Sequence, residues 1–251
     1  MNTARHWRNR AAGLVIISPS RRVYGADHGL HDSSGRSVLP ERVASVTKTF
    51  AELGRRFAAC KADVVIVVSP DHWVNFFINN LPSVCIGVGE AHEGSPEPWL
   101  KLPFQAFPGH PGLAGHLAET ALKRDFDPSL SHHIKLDHGF LIPLWKMGLT
   151  RLPAIVPIIV NIIEPPLPSF NRCYAWGQLL RQAIEAYPGD LRVAVMATGG
   201  LRNAVCRLSA TSSPKNRGST PKLSSRGMNI GMKMTMISVH SRGQPSRKMI
   251  T

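Results

Sequence analysis

After Asp190 the chain contains no Asp or Glu, and residues 202–251 contain no Phe, Trp or Tyr. The same final segment carries ten Lys or Arg, so ten of the fourteen net positive charges lie there and the remainder is only mildly basic. A nucleic-acid-binding surface places its charge on a folded face, often with aromatics that stack on bases. A basic, aromatic-free, Ser-rich tail offers neither, so specific nucleic-acid binding is not expected. There is also no Cys-x-x-Cys pair. Cys60, Cys85, Cys173 and Cys206 are irregularly spaced, which argues against a zinc ribbon or a disulfide framework and for a reducing cytoplasm. Long apolar runs are missing too. The longest, LPAIVPIIVNII at 152–163, holds two prolines and is too short to span a bilayer. The apolar run near the N-terminus is short and has no clear cleavage site, so neither a signal peptide nor a membrane segment is expected.

What is present is an alternation of strand-like and helix-like segments without internal repeat. Residues 12–18, 62–69, 83–89, 154–160 and 191–198 read as buried strands, the second a continuous β-branched run, ADVVIVVS, stopped by Pro70. Val43, Val46, Phe50, Leu53 and Phe57 recur at three- and four-residue steps and predict one face of a helix over 43–60. Two more amphipathic helices are predicted over 111–124 and 170–187, the latter with Phe170, Tyr174, Gly177, Leu180 and Ile184 on its apolar face. This pattern predicts a single α/β domain with a mostly parallel sheet flanked by helices.

In such sheets ligands sit beyond the carboxyl ends of the strands. Three strand ends therefore matter: IISPS (16–20), SPDHW (69–73) and TGGL (198–201). His72 follows the second, beside Asp71. LDHGF (136–140) offers another Asp–His neighbour pair, Asp137 and His138. A carboxylate at an imidazole fixes its tautomer and raises its basicity, although sequence neighbours need not touch. His132 and His133 read as half-exposed strand or loop. Glu90, His92 and Glu93 in GEAHEGSPEPW have the composition of a metal cluster, but an ordinary polar loop is the preferred reading. EPPLPSF (164–170) reads as a rigid extended segment suited to a pocket wall.

ADVVIVVSPDHWVNFF, VCIGVGEAHEG, LDHGFLIPL, the segment from VPIIVNIIEPPLPSF through its helix, and VAVMATGGL occur in that order. Together they resemble the class III extradiol ring-cleavage dioxygenases of the subunit-B type, over about residues 39–201. The resemblance implies Fe(II) held by two His and one carboxylate, a catecholic substrate, O2, oligomeric assembly and no organic cofactor. By the family motifs, His72 would be an iron ligand and His138 a second-sphere His near substrate and oxygen. The motif that supplies the other iron-binding His aligns with Ile16-Ile17-Ser18-Pro19, which puts Ile17 at the ligand position. The motif of the acid–base His aligns with Gly199-Gly200-Leu201-Arg202-Asn203, and the Asn203 amide does not titrate near neutral pH. The carboxylate ligand has no candidate in the tail.

Three segments follow: an atypical stretch 1–38, the family-like body 39–201, and the basic tail 202–251. The break in motif and the change in composition coincide at Leu201. The reading adopted is a shift of reading frame there, with the C-terminal part of the family fold missing. A genuine disordered basic tail is the alternative. With one of three iron ligands in place, ring cleavage is expected to be impaired or absent. A catalytically inactive relative, acting as a binding subunit or having no function, is the competing expectation.

Overall fold

The computed structural model describes residues 15–17, 40–98, 106–149, 152–198 and 237–240. In chain order the elements are β1 (Val15–Ile17), α1 (Pro40–Cys60), β2 (Val64–Ser69), β3 (Val84–Gly87), β4 (Ala91–Glu93), β5 (Ala106–Pro108), α2 (Pro111–Leu122), β6 (Ser129–Ser131), α3 (His138–Lys146), β7 (Ala154–Val160), α4 (Phe170–Ala186), β8 (Arg192–Thr198) and β9 (Ile237–His240).

Among the described residues, seven strands form one sheet in the order β1-β8-β2-β7-β3-β6, with β9 also on β8. The pairs β1/β8, β8/β2, β2/β7 and β3/β6 are parallel, and β3/β7 and β8/β9 are antiparallel. The expected α/β fold with a mostly parallel sheet is therefore found. β4 and β5 form a separate antiparallel hairpin.

The central strand β2 shows why its sequence is apolar throughout. Val64 and Ile66 join the core beneath α2 and α4, with Leu113, Leu117, Trp176 and Leu180. Val65 and Val67 join the opposite core beneath α1 and α3, with Leu53, Phe57, Phe140 and Leu144. Both faces of the strand are covered, so the period-two alternation is invisible in the letters. Close packing on the second face depends on Gly54, where a Cβ would collide with the carbonyl oxygen of Met147.

α1 buries the predicted face through Leu53 and Phe57, with Val43, Val46 and Phe50 half-buried. The predicted face of α4 is corrected in part: Leu180 and Ile184 are buried as expected. Phe170 and Tyr174 are exposed, and the buried stripe is Trp176, Leu179, Leu180, Ala183 and Ile184. The polar-loop reading around His92 is also corrected: Ala91–Glu93 is a strand, and His92 is 1% exposed rather than part of an open polar loop. No helix of the described residues is long and apolar enough to cross a membrane.

Candidate active site

The carboxyl end of β2 is Ser69, and the chain turns there through Pro70, Asp71 and His72. Asp71 shapes the turn. Its carboxylate accepts hydrogen bonds from the backbone N–H groups of Val74 (3.2 Å), Asn75 (3.1 Å) and Phe76 (2.9 Å). Asn75 then ties this turn to the segment ahead of α3: its Nδ2 donates to Lys135 O at 2.9 Å, and its Oδ1 accepts from Lys135 N at 2.8 Å. The stitch brings the two Asp–His pairs together. Next to His72, Trp73 has a left-handed backbone (φ 62°) and is 40% exposed.

The partners cross over. His72 pairs with Asp137, not with its neighbour Asp71: Asp137 Oδ2 accepts from His72 N at 2.8 Å and from His72 Nδ1 at 2.9 Å. His138 pairs with Glu97, not with its neighbour Asp137: its Nδ1 lies 2.7 Å from Glu97 Oε1, and its backbone N–H donates to Glu97 Oε2 at 2.7 Å. Neither His pairs with the carboxylate next to it in sequence: Asp71 spends its oxygens on the turn, and Asp137 reaches His72 with one oxygen while the other caps α3. Asp137 is the N-cap of α3, where its Oδ1 accepts from Gly139 N (2.8 Å) and Phe140 N (3.4 Å).

The rings of His72 and His138 face one another, centroids 4.1 Å apart at 31°. Gly139 allows this approach. A Cβ there would lie 2.8 Å from Ser69 Oγ and 2.9 Å from His72 Cε1. Ser69 Oγ is buried beside this junction without a hydrogen-bond partner among the described residues. Burial works to lower the His138 pKa, but the hydrogen bond to Glu97 and the charges of Asp137 and Glu97 outweigh it, and the net shift is upward. Burial works to raise the Glu97 pKa, and the hydrogen bonds from His138 and Ser95 reverse it to a net lowering.

His72, Asp137 and His138 offer ligand atoms that all lie within 4.8 Å of one another. Imidazole and carboxylate together suit a divalent transition metal. The fit is good for His72, whose Nδ1 is engaged and whose ring is thereby oriented. Asp137 already accepts four N–H groups, which leaves its carboxylate little capacity to ligate a metal itself.

The remaining expected positions fall as follows. The register puts Ile17 opposite Thr198, at the carboxyl end of the sheet. Asn203 lies outside the described residues. His132 and His133 are exposed, and His133 Nε2 is 3.0 Å from Glu93 Oε1. Glu97 was not singled out by the sequence reading. It lies in the turn-rich stretch EGSPEP, and nothing local points to a histidine 41 residues away.

A sequence model of the family described as "Catalytic LigB subunit of aromatic ring-opening dioxygenase" matches residues 35–216. The chain is 40% identical over 104 residues to a gallate dioxygenase of Pseudomonas putida, covering 39% of this chain and 29% of that protein. It is 31% identical over 179 residues to a 2,3-dihydroxyphenylpropionate/2,3-dihydroxicinnamic acid 1,2-dioxygenase of Xanthobacter autotrophicus, covering 69% of this chain and 52% of that one. A protein of the same description from Klebsiella pneumoniae is 29% identical over 172 residues, with 65% and 51% covered. The chain thus spans about half the length of these dihydroxyphenylpropionate-cleaving relatives, and less of the gallate dioxygenase.

Proposed function

The chain belongs to the family of the catalytic LigB subunit of aromatic ring-opening dioxygenases, and we propose that its site is that of an Fe(II)-dependent extradiol dioxygenase for a catecholic ring, with weakened metal binding in this chain. The observation that carries the reading is the facing pair His72–His138 at the carboxyl end of β2, each ring backed by its own carboxylate. Bound ferrous iron would supply a centre at which the diol and O2 meet and exchange electron density. His72 would hold it. Asp137, by accepting from Nδ1, orients the ring so that Nε2 would be the atom free to hold the metal. With Asn203 at the family's acid–base position, the second-sphere His138 would be the group left to take a proton from the diol and return one as the ring opens, and the Glu97 carboxylate stabilises its protonated form.

Ile17 and Asn203, at the family's other histidine positions, supply neither an imidazole ligand nor a titrating acid. Affinity for iron follows the number and geometry of ligands. The chain is therefore expected to bind Fe(II) loosely and to form little or no ring-fission product.

The test is anaerobic Fe(II) titration of the full chain and of His72→Ala, followed by catechols and air. Weak binding that His72→Ala abolishes supports the assignment. Binding that His72→Ala leaves unchanged sinks it, and abundant yellow ring-fission product from the native chain sinks the impairment.

A further inference from the structure

Glu97 touches His138 at two places. One carboxylate oxygen, Oε1, lies 2.7 Å from the ring Nδ1, and the other, Oε2, accepts the backbone N–H of the same residue at 2.7 Å. An ionised carboxylate only accepts, so the proton in the ring contact sits on Nδ1. The backbone contact has its own logic. His138 is the first residue of α3, where N–H groups lack helical partners, and Asp137 satisfies the next two. Glu97 is itself held: Oε2 accepts from Ser95 Oγ at 2.7 Å, and Glu97 N donates to that hydroxyl at 3.1 Å. Only 14% of the Glu97 side chain and 21% of the His138 side chain are exposed, so water competes weakly for these bonds.

We propose that Glu97 is the positioning residue for His138: it clamps backbone and ring together and fixes the neutral imidazole as the Nδ1–H tautomer, leaving the Nε2 lone pair as its basic atom. The proposal rests on the reading of His138 as the acid–base group of a ring-cleavage site, and it adds the residue on which that role depends. It also gives the β4–α3 side of the site a function. The loop after β4 determines which nitrogen of a histidine on another element can accept a proton.

The consequence of Glu97→Gln is a specific one. The backbone N–H of His138 cannot reverse its polarity, so it claims the Gln oxygen. The Gln NH2 is then left facing Nδ1, which must become an acceptor, and the ring proton moves to Nε2. The experiment is 15N spectroscopy of the full chain carrying labelled histidine, at pH 9, above the ordinary titration range of His. His138→Gln identifies the signals. In the native chain the His138 Nδ1 should give the protonated, pyrrole-type shift and Nε2 the pyridine-type shift. Glu97→Gln should exchange the two, and Glu97→Ala should give a mixture of both forms. An Nε2–H tautomer in the native chain, or the same tautomer in all three, overturns the clamp.

Iron titration of the same proteins separates this proposal from the reading beneath it. An unchanged tautomer with His72-dependent iron binding overturns the clamp alone. A switched tautomer in a chain whose iron binding ignores His72 upholds the clamp and overturns the reaction assigned to the site.

Discussion

Asp137 Oδ2 receives two hydrogen bonds from one residue, His72: the backbone N–H at 2.8 Å and the ring Nδ1 at 2.9 Å. Its other oxygen caps α3. One carboxylate, with no exposed surface, thus fixes a helix start and a histidine rotamer together. The chemistry of the site and the stability of the fold share this residue, which makes it the first place to separate them.

Asp137→Ala removes the cap and leaves buried N–H groups without an acceptor. Loss of an N-cap costs roughly 1 kcal/mol, and each buried donor left unpaired about 1–3 kcal/mol. Urea unfolding should show a loss of about 2–4 kcal/mol. Asp137→Asn preserves the shape but points an NH2 at a donor, and any Fe(II) affinity should fall about 10- to 100-fold with a smaller loss of stability. Equal losses in the two variants would mean that the carboxylate charge does nothing for His72.

Glycines at two places test the packing. A Cβ at Gly139 would lie 2.8 Å from Ser69 Oγ, 2.9 Å from His72 Cε1 and 3.0 Å from Asp137 Oδ1. Gly139→Ala should cost about 1–3 kcal/mol through overpacking and shift the His72 ring resonances. Among the described residues, nothing lies within 4 Å of where a Cβ at Gly177, within α4, would sit. Gly177→Ala should instead stabilise by about 0.5–1 kcal/mol, the helix-propensity gain. Thermal melts of the two variants should move in opposite directions.

The fold was legible where a segment is long and strongly patterned. The β-branched run of β2 and the stepped face of α1 are read directly from the letters. α3 was not, because HGFLIPLWK is apolar nearly all round and contains Pro143, so it shows no helical stripe. β4, β5 and β6 have three residues each, too few to show a period. The antiparallel pairing of β3 with β7 is a choice between distant segments that no local signal carries. The α4 face was partly misread because Phe170 and Tyr174 are large and apolar yet exposed, while small Ala183 completes the buried stripe. In the candidate site, His72 and His138 were singled out from strand-end position and motif. Their true partners were not, because the pairings span 65 and 41 residues.

Glu97 and His138 should couple stability to pH in a defined window. His138 has a raised pKa, so its contribution is complete below the ordinary His value of 6.5 and fades as pH rises through the folded value. Glu97 has a lowered pKa, so its contribution is complete above the ordinary Glu value of 4.5 and fades as pH falls through the folded value. The pair is at full strength between those two ordinary values. The difference in unfolding free energy between the native chain and Glu97→Gln should therefore peak there and shrink on both sides. A difference that stays flat across this range would show that the pair carries no charge coupling.

His92 should act in the opposite sense, and only in acid. It is 1% exposed, neither ring nitrogen has a hydrogen-bond partner among the described residues, and its Cε1 would lie 2.9 Å from a Cβ at Gly87. Burial pushes its pKa down to about 4, helped by the charge of His133. A depressed histidine favours the neutral form in the fold, so the unfolded chain binds the proton more readily. Stability is then complete above about pH 6.5 and is lost as pH falls toward 4, by up to about 3 kcal/mol for such a shift. His92→Leu removes the titrating ring at similar bulk and should flatten this acid limb while leaving stability at pH 8 equal or higher, since two unpartnered nitrogens leave the core. His133→Ala should remove only the smaller electrostatic part. Parallel acid limbs in the native chain and His92→Leu would assign the loss to other groups.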